Sequence, residues 1–518
     1  MKPSKHLLIS ALLVTLALPY FFLKKSPTDR KSNDRYWAEA GLLLTDVQDL
    51  ISNGNCLQSE KHYLSCANAV NAIAEKKDSL VTEDGVIRLM NEADIANRLT
   101  ERSKLQVWKQ AFNDKKLISF EDVFQRLLEN KMLSGRDSIA IASGINAYLS
   151  VFRDPHTYII PLALYEEVIS ANESKHPTMG ILFRRDPDAL FVKKVFEGSS
   201  AAIAGLKKAD RITEINSKPV STLLPSKIND IIRMKNSDRM FLTIARADQK
   251  IKIEVRKTDR IFPSVRSKTL NRSNRVVGLI TVNKFSKGVC TEMRSQITDL
   301  QQQNIAGLML DLRDNPGGQV DEAACVINLF VKKGRLLFET RYLDEDRFPD
   351  KYFSDRKPVY QGPLAVLINS GSASASEIVA GSLRDNQRAT LIGERTFGKG
   401  TFQDGRIWKA NPKIAIFETG GFYYFPSGWT PQLLGIEPDI SVTFTNTESL
   451  REEDQYLYPV IPIDIAYKPT NISWLISKNC TADIDFTSDS SLSIDDPQIN
   501  QAHDWLQCGD GNVRNGSL

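Results

Sequence analysis

A chain of 518 residues is long enough for about three folded units at roughly 150 residues each. Its 42% hydrophobic and 25% charged residues are ordinary globular proportions, which exclude a disordered, collagen-like or polytopic membrane chain. The formal charge of +4 is too small to argue for nucleic acid, and five histidines argue against a His-rich metal site. The charge is unevenly placed: residues 444–518 hold 12 acidic and 4 basic side chains, a net −8 against +12 elsewhere.

Residues 7–23, LLISALLVTLALPYFFL, form an uncharged run of 17 between Lys2 and Lys5 on one side and Lys24 and Lys25 on the other. At the start of a chain this reads as a membrane anchor or export signal rather than a core helix. At about 1.5 Å per residue it is short for a ~30 Å hydrocarbon core. No small-x-small cleavage pattern follows it, so an uncleaved anchor is expected, with a cleaved signal as the alternative. Six cysteines fit an oxidising compartment. Cys56 with Cys66, and Cys480 with Cys508, would each close a short loop as a disulfide, the alternative being free buried thiols. Neither pair has metal spacing. Cys290 and Cys325 fall in helical patterns and read as buried thiols.

Residues 26–34 are a polar linker, and 35–150 read as a mainly helical scaffold without chemistry. Period-two segments follow: MGILFRR, ALFVKKVF, DRITEIN, RMFLTIAR and KIKIEVRK, with small helices at 198–206 and 225–234. They predict a compact β-domain over about 156–258. From 275, apolar strands alternate with helices: RVVGLITVNKF, IAGLMLDLR, PLAVLINS and ATLIGE. That rhythm predicts a mostly parallel α/β sheet. The last 75 residues read as a partly ordered appendage.

Three turns at the carboxyl ends of these strands concentrate small residues, where open α/β sheets build sites. LDLRDNPGGQ (310–319) turns through Gly317 and Gly318, whose backbone can approach a ligand closely. NSGSASASEIVAGSLRDN (369–386) sets Ser372, Ser374 and Ser376 at a strand-to-helix junction. A single serine there is most often a cap, and G-x-S-x-G is absent, so the pattern does not support a nucleophile elbow. GERTFGKGTFQ (393–403) nearly spells a phosphate loop, but Gly400 stands where Ser or Thr should bind Mg²⁺ and no helix pattern follows. Lys399 reads better as a catalytic amine. No histidine lies near the serines, and a buried neutral lysine can serve a hydroxyl as base. Gln403 could orient that amine by accepting a hydrogen bond.

Together these segments resemble the carboxyl-terminal processing (tail-specific) serine peptidases over roughly 150–442. FYYFPSGWTPQLLGIEPDI (422–440) and DPHT (154–157) add two further matches in order. The resemblance implies a ClpP/crotonase-like α/β core at 259–442 and a PDZ-like insertion at 156–258; outside it, composition and pattern give a helical region at 35–155, an anchor or signal with linker at 1–34 and an acidic extension at 443–518. It implies Ser374 as nucleophile, Lys399 as base, Gln403 as its partner, and the backbone N–H groups of Gly318 and Ala375 as oxyanion donors. Asp385 reads as structural. In the PDZ-like domain it implies a peptide-binding loop of Gly180, Ile181, Leu182 and Phe183, opposite Ile228 and Ile231 on a helix. Lys208-Ala209-Asp210 stands where a Pro-Gly-Asp turn is common. The expected function is cleavage of proteins with accessible C-termini through an acyl-enzyme, in the periplasm or cell envelope, at the inner membrane through residues 7–23. No metal, cofactor or nucleic acid is expected, and an adaptor or regulator is an open partner. The competing class is a catalytically silent PDZ scaffold.

Overall fold

The computed structural model describes residues 36–50, scattered positions between 61 and 72, 138–173, 179–185, 189–195, 198–222, 238–247, 249–256, 264–272, 275–344, 346–443, 451–452, 459–462 and 496–508. The run at 7–23, most of the helical region 35–137, Ile228, Ile231, Cys56 and Cys480 lie outside these residues. Among the described residues, no helix is long and apolar enough to cross a membrane.

The elements in chain order are α1 (Ser138–Phe152), β1 (Tyr158–Pro161), α2 (Leu162–Glu173), β2 (Ile181–Arg185), β3 (Leu190–Val195), α3 (Ser200–Ile203), β4 (Arg211–Ile215), β5 (Lys218–Pro219), β6 (Arg239–Arg246) and β7 (Gln249–Arg256). Then come β8 (Val265–Arg272), β9 (Arg275–Val282), α4 (Val289–Gln301), β10 (Gly307–Asp311), α5 (Val320–Asn328), β11 (Leu336–Tyr342), β12 (Asp350–Phe353), β13 (Leu364–Ile368) and α6 (Ala375–Asp385). The chain continues through β14 (Thr390–Gly393), β15 (Thr401–Ile407), β16 (Ile414–Tyr424), β17 (Ile440–Ser441) and α7 (Pro497–Cys508).

The four apolar strands foreseen after residue 275 form the centre of one sheet, in the order β17-β14-β13-β10-β9-β8. The pairs β9–β10, β10–β13, β13–β14 and β14–β17 are parallel, and β8 joins β9 antiparallel. Strand side chains alternate between faces. Leu308, Leu310, Val366 and Ile368 pack with Met293, Val326 and Ile378 from α4, α5 and α6. Met309, Ala365 and Leu367 face the other way, against Ile499, Ala502 and Leu506 of α7. Both faces are therefore covered, as a parallel sheet requires. This corrects the reading of 443–518 as an appendage: α7 completes the core. It is tied to the sheet by Arg313 Nη1, which donates to both Asp496 oxygens at 2.8 and 3.0 Å.

A second sheet escaped the sequence reading. It runs β1-β16-β11-β12, with β15 also pairing β16, and all its pairs are antiparallel. The β1–β16 pairing places Tyr158–Pro161 in this second sheet, so the β-domain begins later than residue 156. That domain is a separate sheet, β2-β3-β4-β6-β7 with β5 on β4, around a core of Leu190, Val192, Ile212, Leu242 and Ile244.

Cys290 and Cys325 are not free thiols. They form a disulfide between α4 and α5, with Cα atoms 5.8 Å apart. Cys66 is disulfide-bonded as well.

Candidate active site

Strands β10, β13 and β14 are neighbours in the parallel sheet, and each ends in one of the three glycine- and serine-rich turns. Parallel strands share a direction, so all three turns emerge at the same edge. Sequence stretches about 25 to 85 residues apart thereby meet.

The Ser372–Ser376 turn sorts its three hydroxyls. Ser372 Oγ donates to Leu312 O at 2.8 Å, and Ser376 Oγ donates to Asn315 O at 2.8 Å. Both lash this turn to the 310–319 turn. Ser374 Oγ is buried and has no hydrogen-bond partner among the described residues. Its residue holds φ 58° and ψ −117°, a strained conformation for a residue with a side chain, between β13 and the first residue of α6. The strand–turn–helix elbow that the missing G-x-S-x-G argued against is therefore present in the backbone. The Ala375 N–H, as the first of its helix, has no intrahelical acceptor, and the helix dipole adds positive potential there.

The glycine turn is clamped against the serine turn. Asn315 Oδ1 accepts from Gly317 N at 2.9 Å, and Asn315 O accepts from Ala373 N at 3.0 Å. Gly318 has φ 148°, and a Cβ there would lie 2.2 Å from Phe285 O. No side chain fits that position.

Lys399 is 2% exposed. Its Nζ donates to Gln403 Oε1 at 2.8 Å, Thr401 Oγ1 at 3.0 Å and Thr401 O at 3.2 Å. Ser374 Oγ is not among these partners. Burial pulls the amine down to about 8, opposed by the carboxylates of Glu452, Asp154 and Glu377 in that order. The lysine's flank is close-packed: a Cβ on Gly400 would lie 2.3 Å from Thr430 Oγ1.

Glu377 joins the serine and lysine segments. Its Oε2 accepts from Ser374 N at 2.8 Å and from Lys399 N at 2.9 Å. The two backbone nitrogens thus flank one oxygen. Its Oε1 accepts from Gly398 N at 2.8 Å and from Thr396 Oγ1 at 2.6 Å. Burial pushes its carboxyl up to about 7, against the pull of these bonds. Tyr423 OH adds a second link, donating to Lys399 O at 2.7 Å and to Ser374 O at 3.3 Å. The sequence reading missed both residues. Glu377 was detectable, because Ser374-x-x-Glu377 has capping-box spacing. Tyr423 lay inside a quoted motif with nothing to single it out. Asp385 is held by Ser427, whose N donates to its Oδ2 at 3.0 Å.

In the β-domain, Gly180 has φ 78°, and a Cβ there would overlap Ser199 Cβ at 2.2 Å. Strand β2 is the outermost strand of its sheet as described and pairs only with β3. Ile181 belongs to the domain core, so it would meet a ligand through its backbone rather than its side chain. Phe183 packs partly buried against that core. The side chain of Leu182, and all of Ile228 and Ile231, lie outside the described residues. Among the described residues no His, Cys, Asp and Glu cluster could hold a metal ion.

Residues 276–442 match peptidase family S41, and residues 168–245 match the PDZ domain. The carboxy-terminal-processing protease of Bartonella bacilliformis is 31% identical over 359 residues, which is 67% of this chain and 78% of that protein. A "Probable CtpA-like serine protease" of Staphylococcus aureus is 26% identical over 338 residues, 64% of this chain and 66% of that protein. Among solved structures, a photosystem II D1 C-terminal processing protease is 22% identical with a TM-score of 0.46, covering 62% of this chain and 86% of that one.

Proposed function

The chain belongs to peptidase family S41, the carboxy-terminal-processing serine proteases with a PDZ domain, and from that premise we propose that Ser374 and Lys399 are its catalytic dyad. The observation that carries the assignment is the sorting of hydroxyls. Two serines of the turn are engaged in structure, whereas the buried Ser374 hydroxyl has no partner among the described residues, one shared carboxylate oxygen away from the backbone of a buried lysine. Neutral Lys399 takes the Ser374 proton as Oγ attacks the scissile carbonyl carbon. For that step the amine must give up one of its present donations and turn its lone pair toward the Ser374 hydroxyl, which donates to it. The Gly318 and Ala375 N–H groups receive the developing oxyanion, a contribution of several kcal/mol. The lysine ammonium then protonates the leaving amine, and water, deprotonated by Lys399, releases the acyl group from Ser374. No metal or nucleotide enters the scheme.

The edge of β2 and the Gly180 loop offer a place for a substrate's C-terminal strand. We place the protease in the cell envelope, anchored by residues 7–23. The charge-flanked apolar run and the disulfides, which need an oxidising compartment, support this. Its substrates are proteins with accessible C-termini, with an adaptor or regulator as a further class of partner. Ser374→Ala and Lys399→Ala are each expected to lower kcat on an unstructured C-terminal peptide by at least about 10³-fold, with the melting temperature nearly unchanged. Full activity in either variant contradicts the dyad.

A further inference from the structure

The D-P-H-T turn at 154–157 has no part in the scheme above, yet two of its side chains reach the strand arm that carries Lys399. The first path starts at Asp154. Its Oδ1 accepts from Thr419 Oγ1 at 2.7 Å. Thr419 of β16 is the cross-strand partner of Gln403 on β15, so their side chains share a face. Having donated its proton to Asp154, the Thr419 hydroxyl can only accept from Gln403, and Gln403 Nε2 lies at a long 3.5 Å. Gln403 Nε2 also donates to Thr401 Oγ1 at 3.1 Å. Both acceptors take the amide nitrogen, which leaves the amide oxygen to face Lys399. The second path starts at His156. Its Nε2 lies 2.7 Å from Glu452 Oε1, and Glu452 N donates to Phe397 O at 3.0 Å. Asp154 and His156 are themselves coupled, since Asp154 Oδ1 accepts the His156 N–H at 2.8 Å.

We propose that Asp154 and His156 form a brace that holds both ends of the Lys399 arm, with Asp154 acting through Thr419 on Gln403 and His156 acting through Glu452 on Phe397. These are positioning residues, and the proposal rests on Lys399 being the base. Glu452 lies beyond residue 442, where the family match ends. The brace therefore draws the chain following the sheet into the site. The charged groups around the lysine amine are Glu452, Asp154 and, from α6, Glu377. Tyr423 of β16 lies beside them with its phenol held neutral by burial. Each carboxylate favours the ammonium, so removing one should ease loss of the proton.

The test is the pH profile of kcat/KM on one unstructured peptide for the full chain and for Asp154→Asn, Thr419→Val, Thr419→Ser, Glu452→Gln and Lys399→Ala. The brace predicts at least a tenfold lower kcat for Asp154→Asn and Thr419→Val, with KM little changed and with recovery in Thr419→Ser. It also predicts that the acidic limb moves to lower pH by about one unit in Asp154→Asn and Glu452→Gln. An unmoved limb in both, with kcat near wild type in Thr419→Val, overturns the brace. If Asp154→Asn fails to fold, the Thr419 pair and Glu452→Gln decide alone. Activity surviving in Lys399→Ala instead overturns the dyad itself, a separate failure.

Discussion

Glu377 meets four donors and no acceptor. Thr396 Oγ1 already accepts from Ile436 N at 2.7 Å, so its own proton goes to Glu377. A protonated Glu377 would have to break one of these bonds, and the site needs it ionised. Lys399 must be neutral for the same chemistry. With Glu377 near 7 and Lys399 near 8, both requirements fail on acidification. The acidic limb of kcat/KM should have a slope near one between about pH 7 and 8 and steepen toward two below pH 7. A flat profile from pH 6 to 9 contradicts this. Glu377→Gln would turn an NH₂ toward the Ser374 and Lys399 N–H groups or toward Gly398 N and Thr396. Leaving two buried donors unpaired should cost roughly 2–4 kcal/mol in urea unfolding, together with activity.

Among the elements, α7 shows where composition misleads. The final stretch, with its twelve acidic residues, read as a partly ordered appendage, yet Ile499, Ala502 and Leu506 recur at helical spacing and cover the sheet. Leu506 fills the space left by Gly307, where a Cβ would lie 3.0 Å from its Cδ2. Leu506→Ala should therefore cost about 2–5 kcal/mol by urea titration, and an unchanged midpoint would show that the helix is dispensable. The parallel strands were readable because doubly buried strands are continuous apolar runs, as in Leu364–Ile368. The second sheet was not, because β1 and β16 are separated by some 250 residues and period alone carries no pairing information. The motifs singled out Ser374, Lys399 and Gln403, and the structure brings Lys399 Nζ to 2.8 Å from Gln403 Oε1. The disulfide was not legible: Cys290 and Cys325 are 35 residues apart in sequence, and only the packing of α4 on α5 brings them together. The Lys208-Ala209-Asp210 turn carries its departure from Pro-Gly-Asp as strain, since Ala209 has φ 71°.

At the scale of the whole molecule, distant segments converge on the catalytic half. Asn411 Nδ2 donates to Asp46 Oδ2 at 2.8 Å, which binds the early chain to the β15–β16 hairpin, while Arg313 binds α7 to the glycine turn. The PDZ domain has its own sheet and its own core. If it cradles a terminal carboxylate, amidating a peptide substrate's C-terminus should raise KM about 10-fold or more and leave kcat nearly intact; equal KM values would remove that role. Burial brings the Lys399 amine down to about 8, so its uncharged form becomes available just above neutral pH. The direct measurement is a ¹⁵N side-chain NMR titration of Lys399 in the Ser374→Ala variant, assigned by its loss in Lys399→Ala. A midpoint near 8 is expected. A midpoint at the ordinary lysine value of about 10.4 would mean that the amine is charged at working pH and cannot be the base.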